Sequence, residues 1–145
     1  MSALDNQNPV QDAIVASLAA KLPARHVQRS LLLDYTLEDQ ARLKAGIVCV
    51  VSEGGGNFAN YRGREGDLGS TNVRLVGFIQ VEADAAPEET EKAELLLLAE
   101  LLGWIHEPGD RALLAPVDAI YPGDWQQSKQ LEHPYGWLTL ALDVR

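Results

Sequence analysis

GIVCVVSEGGGNFANYRGREGDLGSTNVRLVGFIQVEA, Gly46 to Ala83, holds two different strand patterns with a glycine-rich stretch between them. Ile47 to Val51 is continuously apolar and partly β-branched, which suits a strand covered on both faces in mid-sheet. From Asn72 to Ala83 the pattern changes: Val73, Leu75, Ile79 and Val81 alternate with Arg74, Gln80 and Glu82, as in a half-buried strand. Val76 and Phe78 interrupt the polar side, so part of the second face is also expected to be covered. Between the two lies Glu53 to Asn72, which carries six of the chain's twelve glycines. A Walker A loop needs a lysine, and this stretch has none; Gly63, Gly66 and Gly69 are spaced GxxGxxG and precede a strand, unlike a dinucleotide turn. The remaining readings are a lid over a site or a flexible arm. A connection this long is normally functional or disordered. Phe58, Tyr61, Arg62 and Arg64 equip it for contact, because aromatics and arginine are enriched at interface hot spots. The arm is expected to order against a partner.

Downstream, Pro87 to about Ile105 reads as the strongest helix, with Glu88, Glu89 and Glu91 complementing the positive end of its dipole. At about 100° per residue, Leu95, Leu98, Leu101, Leu102, Trp104 and Ile105 span about half the circumference, with Leu96 outside that arc. So broad a side predicts a contact beyond the sheet, with the first helix of the same chain or with a neighbouring subunit. Leu96 and, one turn on, Glu100 are the interface candidates on this helix. Pro108-Gly109-Asp110 opens a turn, Ala119 to Tyr121 makes a short strand, and PGDWQQSK reads as a polar turn. Gly136 to Val144 closes the chain as a strand, with Leu138, Leu140, Leu142 and Val144 alternating against Trp137, Thr139 and Asp143.

Upstream, Asn8-Pro9 reads as a helix start with a capping asparagine and a first-turn proline. Val10, Ile14, Leu18 and Leu22 follow on one face, and Pro23 ends the helix. His26 to Leu33 reads as a strand. Thr36 to Lys44 is expected to be a short helix opened by a Thr36/Asp39 capping pair and stopped at Gly46.

One domain over residues 1–145, with one core, is what this length supports. A composition 46% hydrophobic and 23% charged is that of a globular chain. No run is long and apolar enough to span a bilayer, and MSALDNQNPVQD lacks the regions of a signal peptide, so a soluble, cytoplasmically made protein without membrane association is expected. The net charge of −9 is concentrated in the C-terminal half: thirteen acids against four bases from Glu82 onward, against six acids and seven bases between Arg25 and Arg74. Such acidity disfavours sequence-specific nucleic-acid binding, which relies on lysine and arginine at the phosphates.

Catalytic constellations are missing from the pattern. His26, His106 and His133 show no metal-ligand spacing, and neither Ser52 nor Ser70 stands in GxSxG. Cys49, alone inside IVCVV, reads as a small buried hydrophobe. Glu88, Glu89, Glu91 and Glu94 are explained by the helix dipole, and His106 suits its negative end. No catalytic residue, metal site or cofactor is expected.

The element order resembles the tail terminator proteins of long-tailed bacteriophages. The likeness lies in a short N-terminal helix, the apolar strand GIVCVV, a long loop, the alternating strand NVRLVGFIQVEA, a helix of about twenty residues and a C-terminal strand entered through an aromatic, YGWLTLALDVR. The resemblance implies an α+β fold: a mixed, mostly antiparallel sheet with two main helices packed on one face. It also implies a non-enzymatic virion protein, a homo-oligomeric ring, six-membered, that caps the tail-tube protein and later meets the head-neck connector. Such a protein works in the host cytoplasm during assembly and stays in the tail. Thr36 to Lys44 and PGDWQQSK depart from the pattern and keep another neck or tail-tube-like component open. A small-molecule-binding or enzymatic α/β domain with a glycine-rich lid is the reading from a different class.

Overall fold

The computed structural model describes residues 3–56, 70–115 and 117–145. In chain order the elements are α1 (Ala3–Lys21), β1 (His26–Gln28), a 3-10 turn (Tyr35–Leu37), α2 (Gln40–Ala45), β2 (Ile47–Gly56), β3 (Ser70–Gln80), α3 (Pro87–His106), a second 3-10 turn (Arg111–Leu114), β4 (Ile120–Gln127) and β5 (Tyr135–Val144). The strands form one sheet ordered β1-β2-β3-β5-β4. Only β1 and β2 run parallel; every other neighbour is antiparallel. The fold is α+β, with a mixed, mostly antiparallel sheet.

Period-two alternation builds the centre of this sheet. β3 and β5 pair without interruption from Thr71↔Val144 to Gln80↔Tyr135. Their buried side chains Val73, Leu75, Ile79, Leu138, Leu140, Leu142 and Val144 join Val48 and Val50 of β2 in the main core. α1 and α3 cover this face with Val10, Ile14 and Leu18, and with Leu97, Leu98, Leu101 and Trp104. The opposite face carries a smaller cluster, Leu43, Ile47, Cys49 and Phe78, with Leu32, Tyr35, Val76 and Trp137 packed against it. Tyr35 lies on Phe78 with ring centroids 4.7 Å apart. Val76 and Phe78 therefore break the polar alternation because α2 and its approach cover them.

Five sequence expectations are corrected. α1 starts at Ala3 and holds Pro9 inside it; the Asn8 side chain is taken by Arg29, whose Nη2 donates to it at 3.0 Å, instead of capping. β1 is three residues long where a strand to Leu33 was expected. The Gln28 side chain donates to the Ser30 carbonyl, and Leu32 turns into the second cluster, so pairing stops and Leu31 and Leu33 are left exposed. The Thr36–Lys44 helix is two pieces: Asp34 caps the 3-10 turn and accepts from the Thr36 N–H, while Asp39 caps α2 by accepting from Ala41 and Arg42, so no Thr36/Asp39 capping box forms. The long loop is shorter than Glu53 to Asn72, because β2 and β3 stay paired as far as Gly56↔Ser70. A register shift lies between Ser52 and Gly54, and Gly54 adopts φ +127°, open to glycine at little cost. PGDWQQSK is mostly strand, since Pro122 to Gln127 belong to β4. Its proline, glycine and aspartate fall at an irregularity between Pro122 and Trp125 on an edge strand, where a missing N–H is tolerated.

Candidate assembly interface

What a surface can do depends first on which of its groups are already engaged inside the chain. Each described base between Arg25 and Arg74 has an intrachain carboxylate: Arg25–Glu100 at 2.5 Å, Arg29–Asp12 at 3.1 Å, Arg42–Glu38 at 3.2 Å, Lys44–Glu82 at 3.2 Å and Arg74–Glu53 at 2.7 Å. Glu82 and Glu100 come from the acidic half. The charge asymmetry of the sequence is thus partly neutralised within one molecule. Glu100, a candidate contact residue, receives two hydrogen bonds from Arg25, Nε to Oε1 at 3.1 Å and Nη2 to Oε2 at 2.5 Å. Arg25 also donates to the Ala45 carbonyl, so Glu100 helps hold β1 and the end of α2 against α3.

Apolar groups tell a different story. Leu96 is 59% exposed, as its position off the main arc implies, and Leu95 beside it is exposed as well. The buried stripe of α3 is Thr90, Glu94, Leu97, Leu98, Leu101 and Trp104, narrower than the predicted half circumference. Its extra breadth is answered by α1: fully buried Trp104 donates through Nε1 to Ser17 Oγ at 2.8 Å. Phe58, Tyr61, Arg62 and Arg64, the proposed arm residues, lie outside the described residues.

Two further apolar groups are exposed. On the segment after β1, whose Leu32 and Tyr35 pack on the second cluster, are Leu31, Leu33 and Leu37, with Leu33 102% and Leu37 83% exposed. On and after β4 are Tyr121, Trp125 and, at 81%, Leu131. β4 is exposed at six consecutive residues, Tyr121 to Gln126. Its outer edge has no partner among the described residues. Trp125, Gln126, Ser128, Leu131 and Trp137 line an open hollow at this end. The sequence pattern conceals these residues, because a leucine in a strand-like run suits a core and a tryptophan between Pro-Gly-Asp and Gln-Gln suits a turn.

His26 and His133 have structural partners. Arg42 Nη2 donates to His26 Nε2 at 2.8 Å and to Gln28 Oε1 at 2.9 Å. His106 is exposed in the last turn of α3, and half-buried His133 meets Thr90 Oγ1 through Nδ1 at 2.7 Å. Burial pushes the Cys49 thiol up to about 11, which keeps it protonated and unreactive near neutral pH. Among the described residues no group of three or more histidines, cysteines and acids is placed to hold a metal ion.

Glu94 is the site the sequence hid. Its place beside Glu88, Glu89 and Glu91 suits a helix-start charge, yet its side chain is wholly buried in the α3 stripe. Ser128 Oγ donates to Oε2 at 2.5 Å and Gln127 Nε2 to Oε1 at 3.1 Å. Burial raises its pKa more than these donors lower it. The i, i+4 spacing from Thr90 through Glu94 to Leu98 marks the shared face, but partners more than thirty residues away leave no trace in the spacing.

Comparison with known proteins adds no family assignment: no family model and no curated protein matches the chain.

Proposed function

We propose that this protein is a structural component of a long-tailed phage: a tail terminator that closes the tail tube as a homo-oligomeric ring, six-membered by resemblance, and offers the surface on which the head-neck connector docks. The observation that supports the reading is two sets of exposed apolar side chains, one on the segment after β1 and one on and after the edge strand β4, in a fold with α1 and α3 together on one face. A patch that contacts a different patch on the next copy gives a head-to-tail interface, and such an interface closes into a ring when its rotation allows. Leu31, Leu33 and Leu37 of one subunit would meet Tyr121, Trp125 and Leu131 of the next. Apolar groups of this kind draw subunits together without needing opposite net charge. Its action is stoichiometric, first in the host cytoplasm and then in the virion.

Loss of function tests the assignment. Deleting the gene from the phage that carries it is expected to give tails of irregular length that do not join heads. Tails of normal length, joined to heads at the normal rate, would overturn the proposal.

A further inference from the structure

The β4–β5 connection, Ser128 to Pro134, is held in a conformation that it does not favour by itself. Lys129 and Gln130 are consecutive non-glycine residues with φ of 61° and 65°, in the left-handed region where a side chain costs energy. The restraint comes from the first half of α3. Ser128 and Gln127 donate to Glu94, Gln130 Nε2 donates to Glu91 Oε2 at 2.8 Å, and His133 meets Thr90. The start of β5 is fitted to the same seam: a Cβ on Gly136 would lie 2.6 Å from Thr90 Cγ2 and closer still to Glu94 Oε2.

Glu94 is the buried ionisable member of this seam. Its carboxyl has donors from the Ser128 hydroxyl and the Gln127 amide, and the Trp137 and Ser128 backbone N–H groups also lie within reach. These donors favour the anion, while removal from water favours the neutral acid, and removal from water is the larger effect. The neutral acid keeps the seam intact, because the Ser128 hydroxyl can turn to accept its proton. The ionised form gains water, and relieves its burial, when the connection lifts off. The ionisable groups with hydrogen bonds across the same seam are Glu91 on its own helix and His133 on the connection; β5 presents Gly136 and the Trp137 backbone, and β3 presents Ile79, none of which titrates.

We propose that Glu94 is a proton-operated latch: the neutral acid holds residues 128–134 against α3, and its ionisation loosens that connection and reshapes the hollow between Trp125, Leu131 and Trp137. Ser128 and Leu131 line this hollow, so their release changes an exposed aromatic surface without unfolding the sheet.

Amide exchange across residues 128–133, corrected for the intrinsic pH dependence of exchange, tests the latch in the full chain. Opening linked to the loss of one proton changes about tenfold per pH unit between the Glu94 pKa of the open and closed forms. The expected result is this rise in the wild type, its persistence in Glu91→Gln and His133→Gln, and its absence in Glu94→Gln. A flat wild-type profile, a slope that survives in Glu94→Gln, or one that vanishes in His133→Gln would overturn the proposal. Should Glu94→Gln not fold, the 13C shift of the Glu94 carboxyl in the wild type decides: it must titrate over the same window as the loosening, and any other window overturns the latch.

Discussion

Gly136 and Leu96 place two single residues under opposite demands. Gly136 has no room for a methyl group, since Thr90 Cγ2 and the Glu94 carboxylate already fill the space. Gly136→Ala is expected to cost about 1–3 kcal/mol through overpacking, read as a lower denaturation midpoint at unchanged slope. Leu96 is exposed and packs no core. Leu96→Glu is expected to change folding stability by no more than about 0.5 kcal/mol and to weaken self-association, measured by thermal melts beside light scattering. A large drop in midpoint with association untouched would assign Leu96 to the monomer's packing. Glu94 adds a pH dependence whose sign follows from its raised pKa. A group that binds its proton more tightly when folded contributes stability that is complete below the ordinary carboxylate range and is lost as pH rises through the raised value. Glu94→Gln should therefore flatten the stability curve over that window. The exposure of Leu96 was legible in the sequence because a helix's angular period is fixed. Glu94 was not, because what buries it is the return of the chain at 127–137, which no local spacing encodes.

At the scale of elements, α3 joins most of the fold. It touches α1 through Trp104 and Ser17, the β1 end through Glu100 and Arg25, and the β4–β5 connection through Glu94. Arg25 is 15% and Glu100 30% exposed at the side chain, and a two-point charged contact of this kind is worth more than a surface pair. Arg25→Ala is expected to cost about 1–3 kcal/mol, given the hydrogen bonds to charged groups that it removes. Chemical denaturation checks this, and an unchanged midpoint would place the contact among the neutral surface pairs. β3, β5 and α3 were legible because their periodicity is long and their faces are buried on one side. β1 and β4 were misread for opposite reasons. At β1 an apolar run promises a strand that Gln28 and Leu32 divert; at β4 turn-forming residues sit at an edge irregularity that can absorb them. The connection between Gly56 and Ser70 belongs to this scale too. Replacing residues 57–69 by a tight turn should leave the melting temperature nearly unchanged, since loop closure costs only about 0.6 kcal/mol per doubling of length. Tail completion should fail, because Phe58, Tyr61, Arg62 and Arg64 are removed. Normal completion by the shortened protein would end their role as contacts.

For the whole molecule, the sheet order decides which surfaces can meet. β1 and β4 are the two edges of the five strands, and the leucines after β1 and Tyr121, Trp125 and Leu131 on and after β4 stay exposed in the single chain. Sequence periodicity identifies a strand's faces but not its place in the sheet, which is why the exposure of these residues could not be read in advance. The intrachain pairs neutralise part of the charge asymmetry. The most direct test is negative-stain electron microscopy of the purified protein, with light scattering, at high concentration alone and after mixing with tail tubes. Leu33→Asp and Trp125→Asp serve as matched variants. Closed rings, free or seated on tube ends, are predicted for the wild type and not for either variant while both remain folded. A wild-type protein that stays monomeric in both conditions and leaves tube ends bare would contradict the account.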